Sequence, residues 1–118
     1  MALERFWRFV AGDANWENHD GDLRQRMLAS AETYLAERAP IASYLPDDEA
    51  LIALALPVQV LISEQTRPFF QQAACRLAER INVPVSWTPG THTPYLDHPY
   101  ELVRSIRPFL RQVSGVPA

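Results

Sequence analysis

The sequence has 118 residues, which is the length of one small domain. Hydrophobic residues make up 47% of the chain and charged residues 21%, which is typical of globular proteins and excludes an intrinsically disordered segment. The formal net charge is −3, so the chain lacks the basic excess with which domains bind nucleic acid, and we expect no nucleic-acid partner.

Residues 1–56 are predicted to form helices and loops. Apolar residues at helical spacing indicate a short first helix, followed by a polar loop over residues 12–21. Asp22 is a suitable N-cap for a second helix, and Pro40 lies beyond its expected end. The acidic residues 47–49 favour the start of a third helix, since negative charge suits a helix N-terminus. The apolar positions behind the first two helices are Leu3, Phe6, Trp7, Val10, Leu23, Met27, Ala31, Tyr34 and Leu35.

Residues 57–118 have the pattern strand, helix, strand, helix. The runs 57–62 and 83–87 are rich in β-branched and apolar residues and predict two short strands. Thr66 is expected to cap the helix between them, with Pro68 in its first turn. The apolar face of that helix comprises Phe69, Phe70, Ala73, Ala74, Leu77 and Ile81.

The final helix follows a tight turn at residues 89–92. Asp97 or His98 is expected to cap it, with Pro99 in its first turn. Its inner face is predicted from apolar residues at helical spacing, namely Leu102, Val103, Ile106, Phe109, Leu110 and Val113.

This order of elements also predicts how the two strands pair. A helix of about a dozen residues between strands gives a right-handed crossover, so the strands should be parallel neighbours. Parallel strands have helices on both faces, and two strands alone do not make a stable sheet. We therefore expect an α/β fold, with a helical segment over residues 1–56 and a βαβα unit over 57–118 that holds part of a larger sheet.

The segment PGTHTPYLDHP at residues 89–99 stands between the second strand and the last helix. It resembles the catalytic-histidine loop of α/β-hydrolases, and residues 57–64 resemble the preceding strand with its acid-bearing loop. Residues 6–54 are similar to the helical cap that many members insert before that strand. The resemblance covers nearly the whole chain, and its specificity lies in the order of the pieces. It implies a partial α/β-hydrolase fold, with a cap-like segment followed by the C-terminal part of the hydrolase domain.

By this resemblance, His92 occupies the position of the general base. Imidazole has a pKa near neutrality, so it can take a proton from a serine hydroxyl and return it to the leaving group. A loop that directly follows a strand presents the ring at the strand's carboxyl end, where open α/β sheets place their sites. The alternative is that His92 is only a polar turn residue.

The catalytic acid is less clearly marked than the base. The family pattern places an aspartate shortly after the strand, and Thr66 stands at that position here. Glu64 would orient His92 if the loop turned differently; otherwise the acid lies on an earlier strand, outside this chain. The other reading of Glu64 is a solvated loop carboxylate.

The nucleophile of the family is missing from this sequence. The family order is serine, acid, histidine, with the serine in a Gly-x-Ser-x-Gly elbow, and no glycine here begins such a motif. The oxyanion-hole loop is missing as well, and without these groups most of the rate acceleration is lost. We therefore expect the chain to be inactive by itself.

Other combinations of polar residues are weaker candidates. Asp97 and His98 suggest a catalytic pair, but helix capping explains them better. His19 lies among several acidic residues, yet their spacing misses the calcium-loop pattern, so no metal is expected. Cys75 is the only cysteine, which excludes an intramolecular disulfide and a cysteine-based zinc site, and we expect it to be an inert core thiol. We expect no cofactor.

The N-terminal residues carry no secretory signal, and no apolar run approaches the roughly 20 residues of a membrane helix. We therefore expect a cytoplasmic protein without a membrane partner. The leading hypothesis is a serine ester or amide hydrolase fold that lacks its nucleophile half and acts on a small ester or amide once completed. The alternatives are a non-catalytic module that pairs with itself or with a complementary chain, and a small βαβ enzyme that uses Glu64 and His92 together.

Overall fold

The computed structural model describes residues 2–44 and 46–115, which form eight helices and two strands. The helices are α1 (Ala2–Ala11), α2 (Asp13–Asn18), α3 (Gly21–Ala29), α4 (Ala31–Ser43), α5 (Asp48–Ile52), α6 (Pro68–Arg80), α7 (Pro94–Asp97) and α8 (Pro99–Ser114). The strands are β1 (Val60–Ser63) and β2 (Val85–Thr88). The chain divides into two compact units, Met1–Asp47 and Asp48–Ala118.

The segment that follows α1 in the first unit has a different secondary structure from the one predicted. The stretch that follows α1 contains the helix α2 and is not a continuous loop, so that prediction was wrong. Gly12 turns the chain at φ +84°, and the Trp16 N–H donates to the Gly12 carbonyl at 3.0 Å. The turn leaves the Trp16 side chain only 2% exposed, and this apolar burial stabilises α2. The polar composition of the segment gave no indication of a helix.

The predicted second helix is two helices. Asp20, not Asp22, caps α3 by accepting the Leu23 N–H at 2.8 Å, and the chain breaks again at Ser30 before α4 begins. The expectation that Pro40 lies beyond the helix was also wrong, because α4 continues to Ser43. The carbonyl of Pro40 accepts the Tyr44 N–H at 3.0 Å, which closes the turn after the proline.

The second unit contains the predicted parallel strand pair. β1 and β2 are hydrogen-bonded neighbours with Val60 opposite Val85 and Ser63 opposite Thr88. Each strand begins two or three residues later than predicted, and β2 starts directly after Pro84, as expected for a residue that cannot donate a ladder bond. The α/β class is confirmed in this form: a mostly helical chain with a small parallel sheet.

Helices α6 and α8 lie on opposite faces of this sheet. Val60 and Ile62 face α6, where they form the buried core with Ala78. Side chains alternate along a strand, so Gln59 points to the other face, and its Nε2 donates to the Ser105 carbonyl of α8 at 3.3 Å. The two-stranded sheet therefore lies between α6 and α8.

The boundary between the units falls at Asp47, nine residues before the expected division at Leu56. Helix α5 belongs to the second unit because it contacts α6. An exposed ion pair joins Asp48 to Arg80 at 3.1 Å. Within the described residues, no helix combines the length and the apolar character needed to cross a membrane.

Candidate active site

The candidate site lies at the carboxyl ends of β1 and β2. Backbone pairing continues beyond the strands: the Glu64 N–H donates to the Thr88 carbonyl at 2.9 Å, and the Gln65 N–H donates to the Gly90 carbonyl at 3.0 Å. These bonds bring the turn after β1 against the loop after β2. The position agrees with the rule that open parallel sheets place their sites at the strand carboxyl ends.

His92 projects from this loop. Its neighbours Thr91 and Thr93 are buried, with 8% and 3% exposure, whereas His92 itself is exposed. The imidazole stacks on the Phe70 ring of α6 at a centroid distance of 3.8 Å and an interplanar angle of 20°. Its Nδ1 lies 3.1 Å from the Thr66 hydroxyl oxygen. The ring is thus fixed on one face and at one nitrogen, and the rest is open to solvent.

This environment affects the charge of the ring. Desolvation by the surrounding side chains lowers the pKa of His92, because burial disfavours the imidazolium form. The neutral form, which can accept a proton, is therefore favoured at neutral pH.

Thr66 contacts His92 and does not cap α6. The N-cap residue is Arg67, with no side-chain capping bond, so the capping prediction for Thr66 was wrong. The hydroxyl of Thr66, 7% exposed, is directed at the imidazole instead. A hydroxyl can donate or accept, so this contact is compatible with either neutral tautomer of the ring. A carboxylate in the same place accepts only, and would fix the proton on Nδ1.

Glu64 is not brought to the imidazole. Its side chain is exposed, and among the described residues its carboxylate has no hydrogen bond or ion pair. Only its backbone takes part in the site, since its N–H pairs with Thr88 and its carbonyl accepts from the Gln71 amide at 3.2 Å. Of the two residues near the acid position, the structure pairs His92 with Thr66.

A small hollow of about 180 Å³ opens beside the imidazole. Ligand pockets are usually on the order of 300–1,000 Å³, so this hollow is smaller than a typical ligand pocket. The lining residues are Leu61, Ile62, Ser63, Thr66, Phe70, Ala74, His92 and Pro94.

Asp97 and His98 do not cap the last helix through their side chains. His98 occupies the N-cap position of α8, as predicted, but makes no side-chain capping bond. The carboxylate of Asp97 instead accepts the Thr91 backbone N–H at 2.8 Å. Its side chain is only 7% exposed, and the His98 Nδ1 lies 3.6 Å from it. The carboxylate of Asp97 is thus hydrogen-bonded to the backbone of Thr91, the residue before His92.

The remaining candidates from the sequence show no arrangement typical of a site. Across residues 2–44 and 46–115, no group of three or more His, Cys, Asp or Glu side chains could hold a metal ion. His19 lies near the Trp16 ring, with centroids 6.3 Å apart. Cys75 is half-buried and packs against the sheet core.

Two contributors to the site were assigned other roles from the sequence. Phe70 was placed on the apolar face of its helix, and Asp97 was taken as a cap. The sequence carries no spacing signal for Phe70, because the imidazole that it contacts lies on a distant segment of the chain. No local pattern reports the bond between Asp97 and Thr91, because it depends on how the loop folds back.

Comparison with known proteins gives no counterpart: no family model matches the chain, and neither does a curated protein or a solved structure. These comparisons do not link the chain to the α/β-hydrolases, so that resemblance rests on the residue pattern alone.

Proposed function

We propose that this chain supplies the general-base part of an α/β-hydrolase-like site for serine ester or amide hydrolysis. His92 is the base, and the nucleophilic serine belongs to polypeptide outside these 118 residues. The observation that carries the proposal is the place of His92: a loop at the carboxyl end of one of two parallel strands, between helices on both faces.

The state of the imidazole supports this role. A general base must be neutral at the working pH and must offer a free ring nitrogen. Desolvation lowers the pKa of His92 and thereby favours the neutral form. Nδ1 is occupied by Thr66, and among the described residues Nε2 has no partner. When Nδ1–H donates to the Thr66 oxygen, Nε2 carries the lone pair that accepts the serine proton.

Thr66 takes the position of the family's acid in this proposal. A neutral hydroxyl can orient the ring, but it stabilises the imidazolium formed during catalysis less than a carboxylate does. The base is therefore weak unless a carboxylate from the completing polypeptide reaches it. Glu64 is exposed and takes part through its backbone, so we do not assign that task to its carboxylate.

The incompleteness of the pocket supports a requirement for further polypeptide. The hollow beside His92 measures only about 180 Å³, and within the described residues β1 and β2 have no third strand beside them. A hydrolase domain that supplied the nucleophile would pair with a free strand edge and close the hollow. The isolated chain is expected to show no turnover of a p-nitrophenyl ester above background.

The test uses a fluorophosphonate probe, which labels a serine when a neighbouring base activates it. A tagged chain is isolated from cells that naturally encode it, together with any polypeptide continuous with it or bound to it. We expect labelling of a serine on that polypeptide, and a loss of roughly 10²-fold or more in His92→Ala, the usual contribution of a general base.

His19→Ala is the matched control, because it removes a second imidazole, one that lies near the Trp16 ring in the other compact unit. It should leave labelling unchanged. Labelling that is independent of His92, or His92-dependent ester turnover by the isolated chain, would contradict the proposal.

A second function, an interaction module that pairs with a copy of itself, is favoured by the apolar side chains left exposed on the second unit. Trp87 of β2 is 50% exposed, Phe69 of α6 is 70% exposed and Leu110 of α8 is 53% exposed. Exposed strand edges and apolar patches promote association between chains. Light scattering at tens of micromolar tests this function: a stable dimer with a cooperative melt supports it, and a monomer rejects it.

A further inference from the structure

The exposure of His92 contrasts with the burial of the backbone that carries it. Thr91 and Thr93 are buried on either side, and the Gly90 carbonyl is held by the Gln65 N–H. The remaining anchor is the Thr91 N–H, whose partner is the Asp97 carboxylate at 2.8 Å. The backbone of Thr91, the residue directly before His92, is therefore fixed by the side chain of Asp97, six residues later in the chain.

Gly90 permits the carboxylate to approach this closely. Its φ of +114° is a conformation that residues with side chains rarely adopt. A Cβ placed on Gly90 would lie 3.2 Å from Asp97 Oδ1, 3.1 Å from Pro94 Cβ and 3.2 Å from His98 Nδ1. Both the backbone conformation and the space at this position are thus matched to Asp97.

The short helix α7 returns the chain to this point. The Thr93 carbonyl accepts the Leu96 N–H at 2.9 Å and the Asp97 N–H at 3.3 Å, so the turn closes directly after His92. The Thr91 hydroxyl also accepts the Thr93 N–H at 3.3 Å. His92 thus projects from a closed loop in which its two neighbours are bonded to each other and to Asp97.

We propose that Asp97 is a positioning residue for His92: its carboxylate fixes the Thr91 backbone and thereby holds the imidazole against Phe70 and Thr66. Removing the acceptor leaves a buried N–H without a partner, which is costly enough for the loop to rearrange. Since Thr91 and His92 are adjacent, such a rearrangement displaces the ring. The relevance to catalysis rests on the proposed function, but the positioning itself is a property of the ring that is measurable without any substrate.

The experiment compares Asp97→Asn with Asp97→Leu, two side chains of similar size. Asparagine retains an oxygen acceptor for the Thr91 N–H, whereas leucine has none. NMR titration of His92 in the full chain reports both its pKa and the ring-current shift from Phe70. In Asp97→Leu we expect the pKa to rise toward the value of free imidazole, about 6.5, and the ring-current shift to be lost. In Asp97→Asn both should stay close to those of the unaltered chain.

Asp20→Leu is the matched control. Asp20 also accepts a backbone N–H through its carboxylate, that of Leu23 at 2.8 Å, but it lies in the helical unit. It should lower stability without moving the His92 titration. An Asp97→Leu variant that titrates like the unaltered chain, or an Asp20→Leu variant that shifts His92 equally, would overturn the proposal.

A measurement on the unaltered chain keeps the proposal falsifiable if Asp97→Leu does not fold. The Thr91 amide should be strongly protected from hydrogen exchange, and rapid exchange at Thr91 would refute its bond to Asp97. The result is separable from the proposed function. If Asp97→Leu shifts the His92 titration but serine labelling does not depend on His92, only the hydrolase role is rejected. If Asp97→Leu leaves the titration unchanged and labelling depends on His92, only the positioning role of Asp97 is rejected.

Discussion

The carboxyl end of the small sheet and the body of the same sheet are held by different interactions. At the carboxyl end, hydrogen bonds from the backbone, from Thr66 and from Asp97 fix the loop around His92. In the body, the fully buried apolar core of the second unit consists of Val60, Ile62 and Ala78. A dense local network can thus define a site on a scaffold whose apolar core is small.

The body of the unit has a large apolar surface in contact with solvent. None of the side chains of α8 is fully buried, although its apolar and polar residues separate onto different sides. A helix with this pattern usually buries its apolar side against a core. The arrangement around His92 therefore depends on local hydrogen bonds, whereas the stability of the unit depends on how much apolar area the sheet and helices bury.

The largest expected effect is a loss of stability after a substitution in the apolar core of the sheet. Ile62 is 3% exposed, and Ile62→Ala should lower the free energy of unfolding by about 2–5 kcal/mol, since it removes transfer energy and leaves a cavity. Denaturant unfolding followed by circular dichroism measures the change. Leu110→Ala is the control, because a side chain that is 53% exposed should cost well under half of that. Equal losses at both positions would show that α8 is covered in solution.

The next prediction concerns a substitution at the carboxyl end of the sheet that leaves the apolar core of the sheet unaltered. Thr66→Asp places a carboxylate beside Nδ1 and should raise the pKa of His92 by roughly 1–3 pH units, because an opposite charge favours the imidazolium. NMR titration of the ring gives the value. The same change should fix the proton on Nδ1 and thereby strengthen Nε2 as a base.

Glu64→Gln is the matched control for this prediction. The Glu64 carboxylate is exposed and does not contact the ring, so its removal should leave the His92 titration almost unchanged. A fall in the pKa of His92 in Glu64→Gln as large as the rise in Thr66→Asp would show that Glu64 reaches the imidazole in solution. That result would favour Glu64 as the acid of the proposed site.

The smallest expected effect is a dependence of stability on pH. Desolvation of the covered part of the ring lowers the pKa of His92 in the folded chain below the unfolded value of about 6.5. The unfolded state therefore binds more protons as the pH falls through about 6.5, and stability decreases toward the folded pKa. Above about 6.5 the ring is neutral in both states, and this loss is absent.

His92→Gln isolates that contribution, because all other titrating groups are retained. Chemical unfolding of both proteins between pH 7.5 and pH 5, on the order of one unit either side of the imidazole pKa, should give a steeper loss for the unaltered chain. Parallel curves would mean that the ring is as solvated in the folded chain as in the unfolded one.

Much of the second unit was predictable because its signals are local. Apolar β-rich runs gave both strands, their separation gave parallel pairing, and Pro68 and Pro99 marked the first turns of α6 and α8. The first unit was less predictable. The break at Ser30 and the passage of α4 through Pro40 follow from packing and from local hydrogen bonds, which periodicity does not record.

The residue pattern was enough to predict the parallel strand pair and the position of His92 on the loop after the second strand, because strand propensity and connection length act over a few residues. The groups that contact the ring became visible in the folded chain alone. Thr66 and Phe70 reach His92 because backbone pairing joins two segments that are more than 20 residues apart. Asp97 reaches Thr91 because a glycine with positive φ leaves room for it. Such contacts depend on three-dimensional closure, and no spacing along the chain encodes them.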